Sequence, residues 1–234
     1  MSIGAVLSEA WELYRRFFSR FVLVAAPVFL VLGLLEAIGD ASTDDVSAGL
    51  LWALVGTVVG IIGTFWVQGA LVEAVRDVRD GRADLEVSEI YDRVRTRLPA
   101  LIVAGLLAGI GIFFGLILFV VPGLYLLTRW SMIVPVVVLE GRSASESFGR
   151  SWEIVRGNAW KVFGLIVITL IGAGIASGLL QALLLFLPTF FSTWLGSAIA
   201  NSIVIPFVAT AWTLAYYRLI DAERAQQPLP TAPA

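Results

Sequence analysis

The sequence has no cysteine and no histidine. Without cysteine there is no disulfide, no thiolate metal site and no thiol nucleophile. Without histidine the commonest general base, proton shuttle and transition-metal ligand is missing. Lysine occurs once against fifteen arginines, a usage associated with GC-rich prokaryotic genomes. Charge is scarce as a whole. Only 15% of residues are charged and 59% are hydrophobic, where a soluble domain carries about 25% charged residues. Residues 162–217 include 56 consecutive positions without Asp, Glu, Lys or Arg, room for two bilayer crossings at about 20 residues each. With a mean hydropathy of +0.90, the chain reads as an all-α integral membrane protein.

The apolar runs divide into six spans. The first covers residues 21–39 and the second 48–72. Residues 98–139 are too long for one crossing, since a single helix would be roughly 60 Å, twice the bilayer core. The break falls at "VVPG", where Pro122 suits the first turn of a new helix, giving spans at 99–120 and 122–139. The stretch 162–217 divides at Leu187-Pro188 into 162–186 and 190–217. Charge asymmetry tests this count. With six spans, fifteen of the sixteen basic residues fall in segments 1–20, 73–98, 140–161 and 218–234. The opposite side carries no Lys or Arg at all. By the positive-inside rule these four segments, and both termini, are expected to be cytoplasmic. The first apolar run begins only at residue 21 and lacks a small-x-small cleavage site, so removal as a signal peptide is not expected. Residues 1–220 form the membrane domain, and the Ala-, Gln- and Pro-rich end, 221–234, is expected to be a disordered cytoplasmic tail.

Each cytoplasmic segment ahead of a pair of spans carries a similar phrase: "SEAWELYRRFF" from Ser8, "SEIYDRVRTRL" from Ser88 and "SESFGRSWEIV" from Ser145. In the first, Ile3, Val6, Leu7, Ala10, Trp11, Tyr14, Phe17 and Phe18 recur at helical spacing. In the third, Ser143 and Glu146 fit a capping box, and "RGN" at 156–158 ends the helix with Gly157 at its C-terminal cap. The reading is three amphipathic helices along the inner membrane surface, each leading into a two-span hairpin. Within the spans, Gly56/Gly60, Gly105/Gly109, Gly111/Gly115 and Gly174/Gly178 are small-residue pairs suited to close helix packing. Trp52 and Trp194 near the outer ends, and Trp11, Trp152, Trp160 and Tyr216 near the inner ones, fit interfacial aromatic belts.

One basic residue escapes the charge pattern. Arg129 lies within "PGLYLLTRWSMIVPVVVLE", where a cation costs roughly 2.5–3.5 kcal/mol on the insertion scale. From a helix start at Pro122 it lies about 10 Å below the outer end at ~1.5 Å per residue. Glu36, Gln181 and Asn201 on three other spans fall in the same outer half. The expectation is a buried polar cluster of Glu36, Arg129, Gln181 and Asn201, with Glu36 neutralising the arginine. Such a cluster is either a structural tie or the floor of a cavity for an anionic head group. A second candidate lies at the inner surface, where Arg150, Trp152, Arg156, Trp160 and Lys161 suit contact with anionic lipid head groups.

The run Pro122-Gly123-x-Tyr125, Arg129-Trp130, Pro135 and Glu140, followed by Ser151-Trp152, Arg156-Gly157-Asn158 and Trp160, resembles the membrane domain fused to some bacterial glycerophosphoryl diester phosphodiesterases. It also occurs as a stand-alone protein. The resemblance is good over about 40 residues and looser over "GRADLEVSEIYDRVRTRLPAL". It implies a six-span membrane domain in a bacterial or archaeal cell membrane. It does not imply phosphodiesterase activity, because in the fused proteins that chemistry belongs to a separate soluble barrel domain.

No Walker A loop, Ser-His-Asp set, HExxH motif or cysteine cluster occurs. The carboxylates Glu73, Asp77, Asp80, Asp84 and Glu140 alternate with arginine and read as solvated faces. No cofactor, metal or nucleic-acid partner is expected. The reading is a non-enzymatic polytopic protein of the cell membrane, an accessory or scaffold associated with membrane lipids and with other membrane or cytoplasmic proteins. The alternative is binding or transport of a lipid or amphiphile through the outer cluster around Arg129.

Overall fold

The computed structural model describes residues 2–41 and 46–225, for 46–48 the backbone alone. All regular structure among them is helical: α1 (Ile3–Arg16), α2 (Phe18–Ala41), α3 (Val46–Val78), α4 (Val87–Arg95), α5 (Leu98–Leu118), α6 (Val120–Arg129), α7 (Ile133–Pro135) continued by a π turn (Val136–Glu140), α8 (Ala144–Val155), α9 (Ala159–Ala182) and α10 (Thr189–Ala225). Six stretches are long and apolar enough to cross a membrane: Phe18–Ala41, Gly49–Val78, Leu98–Leu118, Val120–Glu140, Ala159–Ala182 and Thr189–Ala225. Helices apolar on every side belong in lipid or in a large core. The protein is a polytopic, all-helical membrane protein.

The breaks follow from proline chemistry. Phe119 is extended (φ −157°, ψ 139°) and ends α5. Pro122 then stands in the first turn of α6, where helix N–H groups lack partners anyway. Pro188 immediately precedes α10. The fourth span is not the continuous helix expected from its composition. It stops at Arg129, passes through Trp130 (φ −101°, ψ 6°) and Met132 (φ −95°, ψ 8°), and restarts at Ile133. Pro135 accounts for the break: it has no N–H for the Ser131 carbonyl, and its ring crowds that carbonyl. The π turn that follows absorbs the misfit.

The arginine-rich segments meet at one end of the bundle. Arg20 pairs with Asp77 at 2.6 Å, Arg79 with Asp221 at 3.7 Å and Arg150 with Glu223 at 2.7 Å. Arg218 pairs with Glu9, and Arg97 donates to the Gly141 carbonyl at 3.1 Å. These contacts draw together all four segments that the charge pattern assigns to one side. They overturn the solvated reading for Glu73 and Asp77, whose side chains are buried, Glu73 holding Arg76 and Arg93 of its own segment and Asp77 holding Arg20, while Asp80 and Asp84 are exposed. α10 runs on through Ala225, past the point where the disordered tail was expected to begin, with Asp221 and Glu223 engaged. Residues 226–234 lie outside the described part.

The short helices α1, α4 and α8 pack into this end. Their buried residues are Val6, Ala10 and Tyr14; Ile90 and Val94; and Ser147, Ser151, Ile154 and Val155. α8 begins with the expected capping box of Ser143 and Glu146 and ends at Gly157, whose φ of 79° suits glycine. Two of the three helices reach a proline within a span. Tyr14 donates its hydroxyl to the Ile203 carbonyl and Tyr91 to the Val24 carbonyl, each at 2.6 Å. These carbonyls lie three residues before Pro206 and Pro27, on the turns that precede the prolines.

Among the glycine pairs, those of α5 make the close contacts. A Cβ at Gly105 would meet Phe65, at Gly111 the Trp130 ring, and at Gly115 the Gly123 Cα at 2.9 Å. Gly56, Gly60, Gly109, Gly174 and Gly178 have open space beside them, so the expectation of packing at all four pairs fails for these residues. Gly56 and Gly60 instead line a cavity between α2 and α3.

Burial pushes the Tyr14 phenol up to about 12 and the Tyr91 phenol above its ordinary value, so both remain donors near neutral pH. Tyr14→Phe and Tyr91→Phe are each expected to cost about 1 kcal/mol, read from unfolding in mixed micelles. A folded-state pKa raised from 10.0 to about 12 gives stability that is present below pH 10 and lost above it. The Tyr14→Phe penalty should therefore shrink across that window. A pH-independent penalty would contradict this account of Tyr14.

Candidate functional site

The break in the fourth span creates the most unusual polar site. At the break the Arg129 carbonyl loses its helical course, and the Ser151 hydroxyl of α8 donates to it at 2.7 Å. The same oxygen accepts from the Met132 N–H at 3.1 Å. One buried serine therefore satisfies a main-chain group on either side of the gap, as a membrane interior requires. Ser131 closes the turn by donating to the Thr128 carbonyl at 2.8 Å.

The Arg129 side chain turns to the same helix. Its Cζ lies 4.8 Å from the Trp152 ring centroid and 5.1 Å from that of Tyr125. The two rings meet edge-to-face at 5.4 Å. Nη1 donates to the Trp152 carbonyl at 3.5 Å, one of the last carbonyls of α8, which run out of intrahelical donors. A cation at a helix C-terminus gains about 0.3–1 kcal/mol, and each aromatic face contributes roughly 0.5–2 kcal/mol. Together these are comparable to the cost of inserting the charge. Nε is buried and has no hydrogen-bond partner among the described residues.

The four residues of the expected outer cluster are not brought together. No ion pair joins Arg129 to Glu36 among the described residues. Glu36 lines the cavity between α2 and α3 beside Leu32, Leu35 and Trp52. Gln181 lies against Gly196, and Asn201 is half-buried on α10. The direction in which the Arg129 side chain points was not legible in the sequence. Arg129 is the last residue of a ten-residue helix and follows the break towards α8.

The inner group divides as well. Arg150 is only 17% exposed and is held from both sides. Nη1 and Nη2 form a bidentate pair with Glu223 at 2.8 and 2.7 Å, and Nε reaches both Glu140 oxygens at 3.2 Å. The Glu223 hydrogen bond, with Glu140 adding, pushes the Arg150 pKa above its ordinary value. Glu140 further accepts from Tyr216 at 2.9 Å and Arg142 at 2.8 Å. Sequence reasoning missed Glu223 because it lies in the segment taken for a disordered tail. Trp152 belongs to the Arg129 seat. Arg156, Trp160 and Lys161 are exposed at the α8–α9 corner, Trp160 at 84%, and Trp160 and Lys161 line a cavity of about 240 Å³ with Gly157, Asn158 and Ala159.

Residues 94–220, more than half of the chain, match the family described as the membrane domain of glycerophosphoryl diester phosphodiesterase. The chain belongs to that family. No curated protein and no solved structure gives a significant match. The region matched to the phosphodiesterase membrane domain contains the broken span, the Arg129 seat, the Glu140–Arg150 pair and the α8–α9 corner. α1, α2 and α3 precede it.

Arg129→Ala and Trp152→Ala should each destabilise the protein by about 1–2 kcal/mol, and the double variant by less than the sum. The reciprocal swap of Glu36 and Arg129 should not recover stability. Additive losses, or rescue by the swap, would contradict the seat described.

Proposed function

We propose that this chain is a non-enzymatic membrane accessory or scaffold that works in association with anionic membrane lipids. In this reading the arginine-rich end is cytoplasmic, the spans form three hairpins, and α1, α4 and α8 are interfacial helices feeding them. The observation that carries the lipid association is the α8–α9 corner. Trp160 stands almost fully exposed between Arg156 and Lys161, and no carboxylate pairs with either cation among the described residues. A bare indole favours the headgroup region, and free cations there gain about 1 kcal/mol each from an anionic leaflet.

The reading without catalysis draws support from the Glu140 carboxylate. It is already shared among Arg142, Arg150 and Tyr216, which leaves it poorly placed for acid–base work. The family match concerns a membrane domain, and lipid contact is the chemistry such a domain meets first. Cytoplasmic proteins docking on the paired α1, α4 and α8 end would be the partners of a scaffold. The alternative, an outward cavity floored by Arg129, lacks its expected companions, since Glu36, Gln181 and Asn201 lie apart from the arginine.

Native mass spectrometry of protein extracted in mild detergent tests the reading. The wild type should retain phosphatidylglycerol in preference to phosphatidylcholine. The triple variant Arg156→Gln, Trp160→Ala, Lys161→Gln should lose most of that preference, whereas Arg129→Ala should keep it and lose stability instead. Equal retention of both lipids by the wild type would overturn the association.

A further inference from the structure

A second group of arginines converges on α3 and α4, away from both sites above. Arg76 of α3, Arg93 of α4 and Arg97 after it line a cavity of about 210 Å³ with Glu73 and Thr96. Val94 and Val138 supply its apolar wall. Three guanidinium groups therefore face one carboxylate. Glu73 is only 3% exposed and holds Arg93 Nη1 at 3.3 Å and Arg76 Nη1 at 3.5 Å. The Thr96 hydroxyl is committed to the Arg93 carbonyl.

Arg97 is seated independently. Its Nη1 donates to the Gly141 carbonyl at 3.1 Å, and its guanidinium fills the space where a side chain on residue 141 would lie. A Cβ there would meet Nη2 at 2.8 Å, and Gly141 has φ of 69°. On all three arginines Nη1 is used within the protein and Nη2 makes no hydrogen bond among the described residues. Three guanidinium groups against the single carboxylate of Glu73 leave the cavity net positive, although Arg76 and Arg93 are about half exposed, and such a site suits an anion with several acceptor oxygens. Basic pockets between helices at the inner face are suited to phospholipid head groups.

We infer that this pocket binds a phosphate group, its Nη2 nitrogens donating to the phosphate oxygens, and that the group belongs to an anionic phospholipid. The source rests on the proposed orientation of the arginine-rich end, which faces the inner leaflet; the phosphate chemistry does not. The apolar wall of Val94 and Val138 suits the glycerol and upper acyl carbons of a lipid better than it suits a free ion.

The test compares wild type, Arg93→Gln/Arg97→Gln and Arg97→Lys, with Arg156→Gln/Lys161→Gln as a control at the α8–α9 corner. Two probes are used: phosphatidylglycerol in phosphatidylcholine nanodiscs, read by native mass spectrometry, and inorganic phosphate added to delipidated protein in detergent, read as a shift in melting temperature. Each arginine removed should weaken retention of phosphatidylglycerol about fivefold, and Arg97→Lys should retain part of it. A melting shift with inorganic phosphate that disappears in the double variant, without a change in lipid retention, would assign the same pocket to a free phosphate. If neither probe distinguishes the double variant from wild type while both proteins elute as single species, the pocket does not bind phosphate. Loss of lipid in the corner variant alone would then leave the proposed function standing and remove only this site.

Discussion

A main-chain polar group opened inside a bilayer has no water to turn to, and this constraint organises the protein. Three of its spans carry an interior proline: Pro27 in α2, Pro135 in the fourth span and Pro206 in α10. Each removes one main-chain N–H from its helix, Pro135 at a visible break, and each lies near a hydroxyl from one of the short helices. Tyr91 reaches Val24, Tyr14 reaches Ile203 and Ser151 reaches Arg129. The short helices are therefore more than amphipathic ornaments on a surface, since their hydroxyls bond main-chain groups of the spans they touch and Ser151 completes the bonding of the broken one.

That arrangement explains why α8 and the fourth span behave as one unit. Ser151 pins α8 to the break, and the pinned helix then presents its C-terminal carbonyls and the Trp152 ring to Arg129. At the other end of the same contact, Arg150 is drawn into the pair of carboxylates from Glu140 and Glu223. An arginine that looked misplaced within an apolar run is thus held by a helix dipole and two aromatic faces, without a carboxylate. In the proposed reading, the charged groups of the α8–α9 corner and of the cavity beside Glu73 are the ones that meet lipid.

Much of the architecture was legible in the sequence. The span count followed from run lengths and from the one-sided distribution of Arg and Lys, and Phe119-Val120 and Pro188 break the chain near the expected places. The Ser143–Glu146 cap and the turn at Gly157 were legible because capping is local. The partners of Arg129 were not, because depth along a span says nothing about which neighbour a side chain faces. Pro135 breaks the fourth span for a reason local to the sequence, but only tertiary packing decides that Ser151 fills the gap. Glu223 was hidden by the low complexity of the residues that follow it, and the arginines around Glu73 by their alternation with acids, a pattern also typical of solvated helices.

Amide hydrogen exchange across residues 128–136 in lipid nanodiscs, comparing wild type with Ser151→Ala, tests the central claim most directly. The account expects Met132 and its neighbours to be protected in the wild type and to exchange much faster in the variant, while α9 stays protected in both. Equal protection of the break in the two proteins would mean that α8 does not complete the broken span, and that the fourth span holds itself together by other means.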